Sequence, residues 1–393
     1  MNILHKGIVT LLRAAITGEK LSLPQECSLE ELVSIAIKQS VGLLAYQGAL
    51  NCGVDQNTPV MQKLLMNYYR HLMINEHQMR AVQEIFDAFD EAGISYMPVK
   101  GCIMKKLYPK PELRSMGDAD ILIRPQEHDR IRPVMEKLGF EMRRENEHVF
   151  EWNSKRLHVE LHKSLVPPVD EDYYAYYGTG WELAGNTRGT RYDLSVEDAY
   201  VFLFSHFARH YRSGGIGCRH VADLFVYRRA YPELDWAYIN GELEKLRLRQ
   251  FHDNMAKLLE VWFSDREPDA VTELMTAFIF SGGSWGSMEA SMYAQEIKAA
   301  ARAGGVANSG LRSALRAVFP ARNQLAYRYH AVIKYPALLP VFWVVRWIDI
   351  LFFRPQKIRR RLRILRGIND AEVLDRSNAL EAVGLGYHFG DQT

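Results

Sequence analysis

The chain has 393 residues, of which 48% are hydrophobic and 24% charged, and its formal net charge is +2. That length suits about two to three domains, and the balance excludes global disorder and a surface built throughout for a polyanion, so basic clusters must be judged locally. The four cysteines, Cys27, Cys52, Cys102 and Cys218, are scattered without a CxxC pair, which excludes zinc-ribbon, thioredoxin-like and disulfide-scaffold readings, leaves no disulfide partner expected and suits a reducing, cytoplasmic compartment.

The N-terminal stretch MNILHKGIVTLLRAAITGEK is mildly amphipathic and lacks a long apolar core followed by a small-residue cleavage site, so no signal peptide is expected. Residues 1–92 read as helical. Ser28 and Glu31 have capping-box spacing before LVSIAIKQSVGLLAY. From Pro59 to Ala88, Leu64, Leu65, Tyr68, Leu72, Met79, Val82, Ile85 and Phe86 recur at helical intervals.

The pattern changes at Gly93. Ile94–Val99 predicts a short strand ended by Lys100-Gly101, and Cys102–Tyr108 a helical turn. Ala119–Ile123 predicts a second strand and Gln126–Leu138 a helix that Pro133 can kink. Phe140–Met142, His148–Trp152 and Arg156–His162 then predict antiparallel strands, with Asn153-Ser154-Lys155 turning the last hairpin. From Ser195 the chain is mainly helical, with Ser195 and Asp198 marking a helix start and further helices over Asp223–Arg229 and Trp236–Phe263. A Gly/Ala/Ser segment, Ala303–Gly310, precedes a last helical region and a basic tail. The expected class is therefore α+β: a small mixed-sheet core at 93–168, flanked by a helical region at 1–92, a helical domain at 169–302, and a linker, amphipathic helix and basic tail at 303–393.

The chemistry sits in that core. Side chains alternate along a strand, so Asp118 and Asp120 face one way while Ala119, Ile121 and Ile123 face the other. In Leu157-His158-Val159-Glu160-Leu161-His162 the apolar residues share one face and His158, Glu160 and His162 the other. If this strand lies beside Ala119–Ile123, Glu160 completes an acidic triad whose hard oxygen ligands suit Mg²⁺ or Mn²⁺ better than zinc.

The stretch PVKGCIMKKLYPKPELRSMGDADILIRPQEHDRIRPVMEKLGFE, followed by HVELH, resembles uncharacterised bacterial nucleotidyltransferases of the DNA polymerase beta-like superfamily. HFARHY, RHVADLFVY and LDW further on are similar to that family's helical half. The resemblance implies a Mg²⁺- or Mn²⁺-dependent transfer of a nucleoside monophosphate from an NTP to an unidentified acceptor hydroxyl, with release of pyrophosphate. It implies Asp118, Asp120 and Glu160 as metal ligands and catalytic residues, with Lys100, Gly101, Arg114 and His162 binding the nucleotide or orienting the site. The chain departs from the superfamily's usual Gly-Ser in carrying Gly101-Cys102. The alternatives are a non-catalytic scaffold of the same fold, or a module binding nucleic acid or a membrane surface.

Three other features stand apart. His206 and His210 lie one helical turn apart and Asp223 could join them, although packing histidines explain the spacing more simply. The glycine-rich Ser281–Gly286 lacks the Lys-Ser/Thr of a P-loop and reads as a loop. No apolar run reaches the roughly 18 to 20 residues of a membrane span. The closest, Ala337–Phe353, contains Arg346 and Asp349 and leads into Arg354, Lys357, Arg359, Arg360, Arg361, Arg363 and Arg366. Such a segment, 337–366, can make a peripheral contact with an anionic membrane at the inner face, bind an RNA backbone, or form a core helix followed by a solvated one.

Overall fold

The structure, a computed structural model, describes residues 1–393 apart from 285, 304, 307, 323–324, 326–328, 330, 354–362 and 388–393. Residue contacts divide it into two units, 1–209 with 216–285 and 210–215 with 286–393.

The first unit opens with four helices: α1 (Ile3–Thr17), α2 (Leu29–Lys38), α3 (Gly42–Asn51) and α4 (Pro59–Glu91). Ser28 caps α2 as its spacing predicts, its side chain accepting from Glu31 N–H. Thr58 caps α4 and Pro59 opens it, where the missing N–H costs nothing. The helix predicted over 59–88 is present and longer, but its apolar stripe is buried only in part. Val82, Ile85 and Phe86 are buried, whereas Leu72 is exposed with Met66, Tyr69 and Met73.

Seven strands follow in one mixed sheet: β1 (Tyr96–Val99), β2 (Asp118–Ile123), β3 (Glu141–Glu145), β4 (Val149–Asn153), β5 (His158–His162), β6 (Ala184–Arg188) and β7 (Arg191–Leu194), in the order β3-β4-β5-β2-β1-β7-β6. β1 is antiparallel to β2, and β2 is parallel to β5. The hairpin β4–β5 turns through Ser154, whose hydroxyl and N–H both reach Leu157 O. β6 and β7 have no counterpart in the sequence reading. Their residues, AGNTR and RYDL, lack an apolar alternation, and β7 meets β1 at a single register pair, Tyr96 with Arg191.

One face of the sheet makes the core. Ala119, Ile121 and Ile123 of β2, Val159 and Leu161 of β5, and Phe150 and Trp152 of β4 pack with Val82, Ile85, Phe86 and Phe89 of α4 and with Ile131 and Met135 of α6 (His128–Lys137). Pro133 lies inside α6 without ending it. The burial of about 25 cal/mol per Å² of apolar surface on this face fixes strand register, because a slip of one residue would carry Asp118 and Asp120 into the core.

Helix α7 (Glu171–Tyr177) lies between β5 and β6, and α8 (Val196–Ser213) begins after β7 at Ser195, whose hydroxyl accepts from Asp198 N–H. α9 (Cys218–Ala230) follows. The helix predicted over Trp236–Phe263 is two, α10 (Trp236–Lys245) and α11 (Arg249–Phe263), separated by Arg247 at φ +54°. α12 (Ala270–Ser281) ends at the glycine-rich loop, where Gln39 at the end of α2 donates to Ile279 O and Gly282 O. The second unit contains α13 (Met288–Arg302), α14 (Ser309–Val318) and the helices Leu339–Phe353 and Asp370–Ala382. The fold is thus α+β, a mixed sheet in mid-chain with helical regions before and after it, and no described helix is long and apolar enough to cross a membrane. Arg354, Lys357, Arg359, Arg360 and Arg361 lie outside the described residues.

Candidate active site

The face of the sheet opposite the core carries the carboxylates. Parallel pairing sets Asp120 beside Glu160 and Asp118 beside His158, and antiparallel pairing sets Val99, the last residue of β1, beside Asp120. Adjacent strands lie about 4.8 Å apart, so paired side chains on one face must meet. The ligand atoms of Asp120, Glu160 and His162 all fall within 4.8 Å of one another, and among the described residues they are the one group of three or more His, Cys, Asp or Glu so placed. Asp118 stands on the same face two residues before Asp120, half-buried and outside that close group.

Lys100 arrives from β1. Its backbone sits at φ +48° and ψ −113°, a conformation that L residues rarely adopt, and its ammonium lies 2.7 Å from Asp120 Oδ1. Backbone strain of this kind persists only where surrounding structure holds it. Gly101 opens the short helix α5 (Gly101–Met104). A Cβ there would stand 3.2 Å from Arg114 Nη1 and 3.3 Å from Met116 Cγ, so a side chain would press on both.

Electrostatics separates the two paired carboxylates. Burial opposes ionisation of Asp120, but Lys100 and His162 more than offset it and hold the carboxyl well below the usual range. At Glu160 the pull of Lys100 is outweighed. Burial, then Asp120 and Asp118, push its carboxyl up to about 7. Asp118 is raised too, by burial and by Asp120. The face therefore holds more negative charge than Lys100 balances.

The histidines form a chain of hydrogen bonds that ends on Asp120. Val166 O can only accept, so Ser164 Oγ, at 2.8 Å, donates to it. Ser164 Oγ then accepts from His148 Nδ1 at 3.2 Å. His148 is held neutral, its pKa lowered to about 3 by burial, His162 and Lys100. Its Nε2 accepts from His162 Nδ1, also at 3.2 Å. His162 Nε2 then lies 2.8 Å from Asp120 Oδ1, where a ring protonated on Nε2 donates to the carboxylate and a neutral ring with its proton on Nδ1 offers a lone pair that a metal ion could share with it.

Arg114 stands elsewhere. Its guanidinium donates to both oxygens of Asp223 on α9, from Nε and Nη2 at 2.9 Å each, and both residues are buried. Tyr108 donates to the same carboxylate at 2.8 Å. Lys105 Nζ donates to Arg114 O. Asp223 is committed to this cluster, and no metal group of the described residues includes it with His206 and His210. Arg219, one turn before Asp223 on α9, donates to Ser115 O at 3.4 Å in the loop leading into β2, and its charge acts on Asp118.

His148, Arg219 and Asp223 therefore join the neighbourhood without having been singled out for it from sequence. His148 precedes the strand that pairs with β5 and lies opposite Lys163, a placement legible only once the hairpin register is known. Arg219 and Asp223 belong to RHVADLFVY, where i, i+4 spacing put them on one helix face without revealing its partner.

A family described as uncharacterised nucleotidyltransferase matches residues 25–264, well over half of the chain. No curated protein and no solved structure matches it. The family match spans the sheet, its carboxylate face and the helices α8 to α11 that supply Arg219 and Asp223, and on that extent the chain belongs to this uncharacterised nucleotidyltransferase family.

Proposed function

We propose that the chain transfers a nucleoside monophosphate from a nucleoside triphosphate to an acceptor hydroxyl, releasing pyrophosphate, with Mg²⁺ or Mn²⁺ as cofactor. The supporting observation is the direct pairing of Asp120 with Glu160 on the face of the sheet opposite the core, with the ligand atoms of both and of His162 within 4.8 Å of one another. A donor set of carboxylates and one imidazole, carrying surplus negative charge, fits such a cation. Asp118, Asp120, Glu160 and His162 are the residues that would hold it. When bound, it would lower the acceptor's pKa and neutralise charge on the transferred phosphoryl group.

The chain's own residues account for the rest. The acceptor oxygen bonds to the α-phosphorus as the bridging bond between the α- and β-phosphates breaks, and pyrophosphate leaves with the bridging oxygen. Glu160, poised near neutrality, takes the acceptor's proton, since a base works best with a pKa close to the working pH. Lys100 can turn from Asp120 to the triphosphate, because its side chain is partly exposed. Gly101 leaves the room that the Arg114 guanidinium and the Met116 side chain occupy beside the site. Arg114 acts at one remove, bracing the loop before β2 through Asp223.

The test uses NTPs labelled at the α-phosphate, incubated with cell extract, Mn²⁺ or Mg²⁺, and purified protein. Label is expected on an extract component with the wild-type chain, and at least about a hundredfold less with Asp120→Asn, the scale of losing a charge stabiliser in the transition state. Transfer of γ-label instead of α-label, or equal labelling by the variant, contradicts the reading.

A further inference from the structure

In the second unit, two helices have apolar stripes facing the wrong way for a core. On α14 the buried residues are Ser309 and Ser313, while Leu311, Leu315 and Val318, at i, i+4 and i+7, are 62, 51 and 43% exposed, and Phe319 beyond the helix end is 43% exposed. Helix Leu339–Phe353 repeats the inversion. Val341, Val344, Val345 and Ile348 form an i, i+3, i+4, i+7 stripe, each 41 to 54% exposed. In a globular protein that spacing marks the face turned inward.

The opposite side of the second helix explains why the stripe stays outside. Trp343, Arg346 and Trp347 donate to Pro320 O, Ala317 O and Val318 O. Three orphan carbonyls around the end of α14 are thereby satisfied, and Phe319 packs edge-on against both tryptophans. The polar atoms of the bulky side chains hold the helix to α14, and the aliphatic stripe is left to the surroundings.

The charge along this stretch of sequence is one-sided. From Arg302 to Arg366 the sequence holds fourteen Lys and Arg against one acidic residue, Asp349, in a chain that nets only +2. Arg312 and Arg316 are engaged by Glu296 of α13, which leaves a large positive excess. Exposed Arg363 and Arg366 belong to it.

We infer that this unit docks in the plane of an anionic lipid bilayer, seating the two aliphatic stripes below the headgroups and its Lys and Arg among them. Lipid is the occupant that takes both features. A second copy of the chain would set the same positive excess against itself, and an RNA would meet the charge while leaving the valines and leucines in water. The 15-residue helix is about 22 Å long, short of the roughly 30 Å of a bilayer core, so it lies on the membrane and does not span it. Apolar insertion and headgroup attraction then act together.

The test is sedimentation of the full chain with vesicles of phosphatidylcholine alone and of phosphatidylcholine mixed with phosphatidylglycerol, at low and high salt. The wild-type chain is expected on anionic vesicles, weakened by salt, and not on neutral ones. Leu315→Glu with Val344→Glu alters two exposed positions, so its thermal melting should match wild type while vesicle binding falls at least about tenfold, the loss expected when inserted aliphatic groups become charged. No binding to anionic vesicles, equal binding to both kinds, or wild-type binding by that variant overturns the inference. So does salt-sensitive binding to single-stranded RNA that the variant retains without any vesicle binding. Concentration-dependent dimerisation that the variant abolishes, again without vesicle binding, assigns the stripes to a second copy and equally overturns it.

Discussion

At the scale of single residues, Glu160 and His162 carry consequences that can be measured without knowing the acceptor. The Glu160 carboxyl titrates at about 7 in the folded chain against an ordinary 4.5. Across that window the folded chain keeps a proton that the unfolded chain has released, so without divalent cation stability falls as pH rises from about 4.5 to about 7. Glu160→Gln imitates the protonated form. It should melt like wild type below the window and be more stable above it by about 2 kcal/mol, a value discounted for the carboxylate's partial exposure. Parallel curves for the two proteins across the window would contradict the charge balance described here. The histidine chain predicts a preference among metals. An imidazole donor favours Mn²⁺ over Mg²⁺, so His162→Asn should narrow the gap between the two affinities. His148→Leu removes the acceptor that fixes His162 and should weaken Mn²⁺ binding by about 10- to 100-fold, as loss of a ligand's supporting hydrogen bond does. His148→Gln, which restores an acceptor, should recover part of it. If His148→Leu binds Mn²⁺ at wild-type strength, His148 does not position His162.

Among the elements, the ion pair between Arg114 and Asp223 joins the loop before β2 to α9. Removing one partner strands a buried charge, at a cost of roughly 3 to 5 kcal/mol. Arg114→Ala and Asp223→Ala are each expected to lower stability to that extent in denaturant unfolding, and the double variant to lose less than the sum of the two. Additive losses would show that the residues do not act as a pair. How far the elements can be read from sequence depends on periodicity. β2 and β5 were legible because DADILI opens in alternation and HVELH keeps it throughout, α4 because of its apolar interval, and α8 because Ser195 and Asp198 mark its start. The shared face of Asp118, Asp120 and Glu160 followed from alternation alone, and its assembly required only that β5 lie beside β2. β6 and β7 were not legible, since AGNTR and RYDL carry no apolar alternation to mark a buried face. The partner of Arg114 was hidden for a different reason. Asp223 is 109 residues away, and an ion pair formed by tertiary packing leaves no local pattern.

For the molecule as a whole, hydrophobic spacing marks helical stretches but not always their breaks or their buried face. Leu311 and Leu315, or Val344 and Ile348, have the spacing of core residues, and only the structure turns them outward while Ser309 and Ser313 are buried. The same limit applies to Leu72 of α4. The carboxylate face is different in kind, because polar residues that alternate with a buried stripe must share the open side wherever the strand lies. Asp120 and Glu160 are therefore the two residues proposed to act together as one cation and nucleotide site. The most direct measurement is Mn²⁺ binding, followed by electron paramagnetic resonance, with and without a non-hydrolysable NTP, in the wild-type chain and in Asp120→Asn with Glu160→Gln. The wild-type chain should bind Mn²⁺ more tightly with the nucleotide present. The variant should lose both the binding and the nucleotide effect, by at least about a hundredfold, while its folded state persists because the core face of β2 and β5 is untouched. A folded variant that binds Mn²⁺ and nucleotide as the wild-type chain does would contradict the account.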